Sequence, residues 1–113
     1  MVEQSLTTFT FLFTDIEGST TLWEQAPEAM DVALARHDGL LRDAIAANGG
    51  EVFKSLGDGL AAVFDDAIGA VTAAITAQRA LCAELWTSVT PLRVRMAVQT
   101  GPARPRDVGQ RGG

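Results

Sequence analysis

Asp15 and Asp58 are the residues of this 113-residue chain whose type and setting point most directly to chemistry. Asp15 ends a Thr- and Phe-rich run, Leu6 to Ile16, and Asp58 stands between Gly57 and Gly59 where two short apolar runs meet. If the strands carrying them are sheet neighbours, the carboxylates converge at one end of the sheet, and converging carboxylates hold metal. Magnesium takes one or two carboxylates and fills its shell with phosphate oxygens, and paired ions ~3.5–4 Å apart serve in-line displacement at phosphorus. Aspartate is also common in turns for local reasons, so two turn positions without a ligand remain the alternative at this point.

Ile16 to Thr20, Ile-Glu-Gly-Ser-Thr, could present backbone N–H groups at a helix start, with Gly18 letting a phosphate approach closely. Ser19 is equally explained as a helix N-cap, and the spacing of a Walker nucleotide loop is absent. Lys54 is the single lysine and lies just before Asp58; a base or phosphate contact competes there with plain solvated surface. His37 sits on an apolar helical stripe with no second His or Cys at ligand spacing, which favours a half-buried core or edge histidine over a ligand. Cys82 and Trp86 read as helix packing. No nucleophile can be placed beside the one histidine and no G-x-S-x-G occurs, so triad hydrolysis has no support.

Periodicity supplies the elements that position these residues. Phe9, Phe11 and Phe13 alternate with Thr8, Thr10 and Leu12, a strand that runs into a tight loop and a helix start. Pro27 opens a long amphipathic helix marked by Met30, Ala33, Leu34, His37, Leu40, Leu41, Ala44 and Ile45, and Asn48-Gly49-Gly50 ends it. Glu51 to Leu56 and Leu60 to Phe64 flank Gly57-Asp58-Gly59 as a β-hairpin. Beyond Asp65-Asp66 a second helix is expected, with Ile68, Val71, Ala74, Ile75, Leu81, Cys82 and Leu85 as its core stripe. After Pro91, the alternation of Leu92, Val94, Met96 and Val98 with Arg93, Arg95, Ala97 and Gln99 predicts a last strand. The result is an α+β, ferredoxin-like βαββαβ order: an antiparallel sheet with helices on one face and the other face free for a partner or ligand.

Composition sets the outer limits. One domain's length, 47% apolar residues and 20% charged residues describe a chain able to bury a core. Nine basic against fourteen acidic side chains give a net charge of −5, which argues against a nucleic-acid binder. A single cysteine excludes an internal disulfide and fits a reducing compartment. No apolar run approaches the ~18–20 residues of a membrane span and Met1-Val2-Glu3-Gln4 has no basic leader, so a cytoplasmic segment without membrane contact is expected.

Three blocks now stand in order: Phe11-Leu12-Phe13-Thr14-Asp15-Ile16-Glu17-Gly18-Ser19-Thr20, then Val52-Phe53-Lys54-Ser55-Leu56-Gly57-Asp58-Gly59, then Arg93-Val94-Arg95-Met96-Ala97-Val98-Gln99-Thr100-Gly101. Together they resemble the class III adenylyl/guanylyl cyclase homology domain, most closely its bacterial members, over about residues 6–101. The resemblance implies a head-to-tail dimer, homo- or heterodimeric, with nucleotide sites between two sheets. It assigns two magnesium or manganese ions to Asp15, Asp58 and the backbone carbonyl of Ile16, making the two aspartates the catalytic pair. Gly18, Ser19 and Thr20 would surround the triphosphate. Lys54 would read the adenine edge from the opposite subunit, favouring ATP over GTP. The implied reaction is attack of a ribose hydroxyl on the α-phosphorus, releasing pyrophosphate and cyclic AMP for intracellular signalling.

Departures from the family pattern shape the remaining expectations. Ser19 stands where many members have Phe, and Ala97 and Gln99 where the fourth strand often has Gly and His. The family continues with a strand and helix carrying a second base-reading Asp or Thr and the Asn and Arg that stabilise the transition state. Here Arg106-Asp107 resembles the start of that region and Val108 to Gly113 resemble none of it, an ending that a truncation or frameshift would produce. Residues 1–101 are therefore read as the N-terminal part of an incomplete cyclase homology domain and 102–113 as an unstructured Gly/Pro/Arg tail. The chain alone is expected to be inactive. A catalytically silent dimerisation or regulatory module is the alternative function, and a palm-like diguanylate cyclase ranks last for want of a GG[DE]EF turn.

Overall fold

The computed structural model describes residues 5–87 and 89–109. In chain order it holds β1 (Thr7–Ile16), α1 (Ser19–Gln25), α2 (Pro27–Ala47), β2 (Glu51–Ser55), β3 (Leu60–Phe64), α3 (Ala67–Ala83) and β4 (Val94–Ala103), followed by a short 3-10 helix, Pro105–Val108. The four strands form one antiparallel sheet in the order β2-β3-β1-β4, so the expected βαββαβ architecture is present with its first helical connection split in two. Two helical crossovers of this kind leave β1 inside the sheet, paired with β3 over Thr10 to Phe13 and with β4 along its whole length, so that its C-terminal residues have β4 on one side and the β2–β3 loop beyond β3 on the other.

Alternation along β1 decides which face is which. Leu12 and Ile16 pack under the helices with Leu60, Ala62 and Phe64 of β3, Met30, Leu41 and Ile45 of α2, and Ala70, Ala73, Ala77 and Leu81 of α3. Thr10 and Thr14 share that buried side and are satisfied there: the Thr10 and Thr100 hydroxyls lie 2.9 Å apart, and the Leu60 N–H donates to Thr14 Oγ1 at 3.0 Å. The phenylalanines consequently face away from the helices. Phe9 is buried there with Val63, while Phe13 is 36% exposed on the open sheet surface.

Four expectations are corrected. The core stripe of α3 is alanine-rich rather than the Ile68, Val71 and Ile75 row, which is exposed, as is Cys82. Small side chains let α3 lie close on the sheet, and that gain in packing outweighs burying the larger residues one position round the helix. Trp86 lies past the end of α3, where its indole N–H donates to the Leu81 carbonyl at 3.1 Å. The chain from residue 102 is not a loose tail in its described part. β4 runs on through Pro102 and Ala103 opposite Thr8 and Thr7, and Val108 is buried against Phe9 and Val63. Proline is tolerated because β4 is an edge strand, and one apolar side chain is enough to dock a single turn. Residues 110–113 lie outside the described residues. His37, expected half-buried, is completely buried, with Nδ1 2.8 Å from Asp38 Oδ1 and no hydrogen-bond partner for Nε2 among the described residues.

Asp66 caps α3 by accepting from the Gly69 N–H at 2.8 Å, and Pro27 occupies the first turn of α2. No helix among the described residues is long and apolar enough to cross a membrane.

Candidate active site

Asp15 is the last outward-facing residue of β1 and lies in register with Arg95 of β4. Antiparallel partners present their side chains on the same face, and Arg95 grips the carboxylate with both prongs: Nε donates to Oδ1 at 2.9 Å and Nη2 to Oδ2 at 2.8 Å. The Arg95 hydrogen bonds hold the Asp15 carboxyl below its usual range, against a smaller opposing effect of desolvation. Because that value is lowered in the fold, the pair's contribution is complete above the ordinary carboxylate range and is lost as pH falls through the lowered value. Arg95 is raised in turn, first by its bonds to Asp15 and further by the charges of Glu17 and Asp58.

Asp58 is brought to the same corner by the hairpin loop between β2 and β3. Gly59 makes this approach feasible: a Cβ at that position would lie 1.9 Å from the Thr14 carbonyl oxygen and 3.1 Å from Asp15 Cα. Only glycine lets the loop press on the end of β1 so closely. On the other side of Asp58, Ser19 donates its hydroxyl to Oδ2. Ser19 is thus no helix cap; the cap position of α1 is Gly18, which turns the chain out of β1 at φ 70°. Thr20 is exposed beside it, and the Ile16 side chain is buried while its backbone ends the strand opposite Val94.

Lys54 is exposed on β2 opposite Ala61, and Ala61 is opposite Phe13, so Lys54 shares the open face with Asp15 without touching it. Between them Phe11 stacks near Phe13 at a centroid distance of 6.1 Å and meets Phe53 edge-on at 6.0 Å. Asp15, Asp58 and Ser19 therefore come together, with Gly18 and Thr20 at the loop above, while Lys54 stands apart. The residue that sequence reasoning missed is Arg95. Its alternation with Val94 and Met96 placed it on the polar face of β4, but only the register reveals that Asp15 is its partner.

Whether a cation fits this corner can be judged from its donors. Carboxylate, hydroxyl and main-chain carbonyl oxygens suit a magnesium- or manganese-class ion, and a guanidinium already stands among three acids as a cation. Among the described residues no three His, Cys, Asp or Glu side chains gather as a self-sufficient metal cage. Two carboxylates with the rest of the shell supplied from outside is how magnesium is usually held on phosphate substrates.

The chain is similar to several known proteins. The uncharacterized protein Rv0891c of Mycobacterium tuberculosis is 37% identical over 102 residues, covering 88% of this chain and 33% of the relative, so the chain spans about a third of that protein's length. A receptor-type adenylate cyclase of Trypanosoma congolense is 39% identical over 80 residues, covering 71% of this chain and 11% of the cyclase. Among solved structures, an adenylate cyclase from Trypanosoma brucei in its monomeric state superposes with a TM-score of 0.80 at 25% identity, over 89% of this chain and 59% of that one. The guanylyl cyclase Cya2 does so with a TM-score of 0.79 at 27% identity, over 87% and 56%. With the sheet, the hairpin corner and the three sequence blocks matched by a family model spanning residues 1–112, the chain belongs to the adenylate and guanylate cyclase catalytic domain family.

Proposed function

We propose that the chain is an adenylate cyclase homology domain that supplies the metal carboxylates of a site completed by a second cyclase subunit, for conversion of ATP to cyclic AMP and pyrophosphate in cyclic nucleotide signalling. One observation carries this reading: residues far apart in sequence, Asp15 and Asp58, are pressed into one corner by the close approach of Gly59, with Ser19 orienting Asp58.

In this reading Asp15, Asp58 and the Ile16 carbonyl hold two magnesium or manganese ions, which when bound supply a lowered pKa for the ribose hydroxyl and neutralise charge on the leaving pyrophosphate. The Arg95 hydrogen bonds favour the ionised form of Asp15, the form that binds a cation. Gly18, Ser19 and Thr20, where the chain leaves β1, would surround the triphosphate with backbone N–H groups, and the open space at Gly18 leaves room for it. The helix-free sheet face, with Phe11 and Phe13, is the surface for the second subunit, a copy of this chain or another cyclase. ATP as substrate and an exposed unpaired Cys82 together suit a cytoplasmic setting.

Mixing the chain with a complete class III cyclase whose own two metal aspartates are replaced tests the reading. Cyclic AMP formation is expected to return, because Asp15 and Asp58 complete the site opposite the partner's remaining groups. A heterodimer demonstrated by sedimentation but without turnover would leave the silent module as the function instead.

Base preference has its own test. Lys54 is an obligate donor, which suits the adenine ring nitrogen and not the donor edge of guanine. In a complete cyclase into which residues 6–101 are grafted, Lys54→Glu is expected to lower kcat/KM for ATP by about 10²-fold or more while leaving manganese binding within twofold, since losing a hydrogen-bonded base contact is costly. Equal losses in both would remove Lys54 from base recognition.

A further inference from the structure

We propose that Arg95 is a latch on the candidate metal site, occupying both oxygens of Asp15 until a divalent cation displaces it. The inference rests on reading Asp15 as a metal carboxylate and adds a positioning residue to it. Three features support it. The contact is two-pronged, at 2.9 and 2.8 Å, so it uses both carboxylate oxygens. It is built into the sheet, because Asp15 and Arg95 are register partners, so the strand pairing keeps the base of the Arg95 side chain beside Asp15 whichever way its guanidinium turns. It is also openable, since the Arg95 and Asp15 side chains are 65% and 47% exposed respectively and water can take over either group.

A cation that chelates both Asp15 oxygens competes with the guanidinium for their lone pairs, and the two positive charges repel. Chelation by Asp15 therefore displaces Arg95, and the cost appears as weakened metal affinity. Glu17 and Asp58 lie within the field of the same guanidinium, so Arg95 also offsets the mutual repulsion of the acids. An exposed ion pair shifts an equilibrium by up to about fivefold, which sets the size of the effect.

The test is titration of the whole chain with Mn²⁺ alone, reading free ion by electron paramagnetic resonance, with thermal denaturation to verify that each variant folds. Arg95→Gln is expected to tighten Mn²⁺ binding by about three- to fivefold. Arg95→Lys keeps the charge but cannot make the two-pronged grip, so the latch requires it to tighten binding by at least about twofold as well. Asp15→Asn should abolish binding in every background. A Lys variant with wild-type affinity would overturn the latch in favour of plain charge repulsion. Unchanged affinity in both Arg95 variants, with binding still dependent on Asp15, would overturn the latch and leave the metal reading standing. Binding that ignores Asp15→Asn, or no binding in any variant, would overturn both.

Discussion

Asp15→Asn is expected to lower cyclic AMP formation in the complemented heterodimer by at least ~10²–10³-fold. The magnitude is that of removing one fixed charge-stabilising group from a transition state, and a carboxylate holding two ions stabilises both the attacking and the leaving oxygen. Asparagine keeps the size and one acceptor oxygen of the side chain, so packing at the end of β1 is undisturbed. What disappears is the charge and the second oxygen. Folding should hardly notice, because Asp15 is only paired at the surface with Arg95 and exposed pairs contribute little to stability. Steady-state assay with Mg²⁺ and ATP, alongside a melting curve, separates the two effects. Turnover within about tenfold of the parent would take Asp15 out of catalysis.

Gly59→Val should do the reverse, destroying the fold around the site before any chemistry is reached. A Cβ there would sit 1.9 Å from the Thr14 carbonyl oxygen, against main chain that is itself locked into the sheet by the Leu60 N–H bond to Thr14 Oγ1. Nothing flexible can yield, so the hairpin loop must leave β1 and carry Asp58 with it. The expected loss is about 3 kcal/mol or more, as for severe overpacking, seen as a fall in Tm of over ~10 °C. Gly101→Ala is the control: a Cβ at Gly101 meets nothing within 4 Å and its backbone is not left-handed, so Tm should move by no more than a few degrees. Equal melting of the two variants would mean that the close approach at Gly59 is not what holds the corner together.

Much of this architecture is legible in the sequence because local rules and tertiary structure agree. The alternation of Phe9, Phe11 and Phe13 marks β1, the spacing from Met30 to Ile45 marks α2, and Gly57-Asp58-Gly59 marks the hairpin. Disagreement arises where two solutions fit the same period. On α3 an alanine stripe and a branched apolar stripe lie side by side, and only the depth available above the sheet chooses between them. Val108 stands alone among the Gly, Pro and Arg residues after residue 101, and its packing is invisible locally because its partners, Phe9 and Val63, lie on other strands. In the site, Asp15, Asp58 and the Gly18–Thr20 loop are visible as a motif, whereas Arg95 becomes meaningful only through strand register, which no local pattern encodes.

The two rims of the sheet are unequal. β2 is five residues long, bulged between Val52 and Lys54, and carries the lysine, all of which blunt it against further strand pairing. β4 is ten residues long and, among the described residues, pairs only with β1. That rim is a template for sheet growth. Its guards are Pro102, which has no N–H to offer, and the charge of Arg95, which is itself engaged by Asp15. Edge-to-edge strand pairing, as distinct from pairing through the open sheet face, is thus expected at β4, the rim that carries half of the Asp15–Arg95 pair.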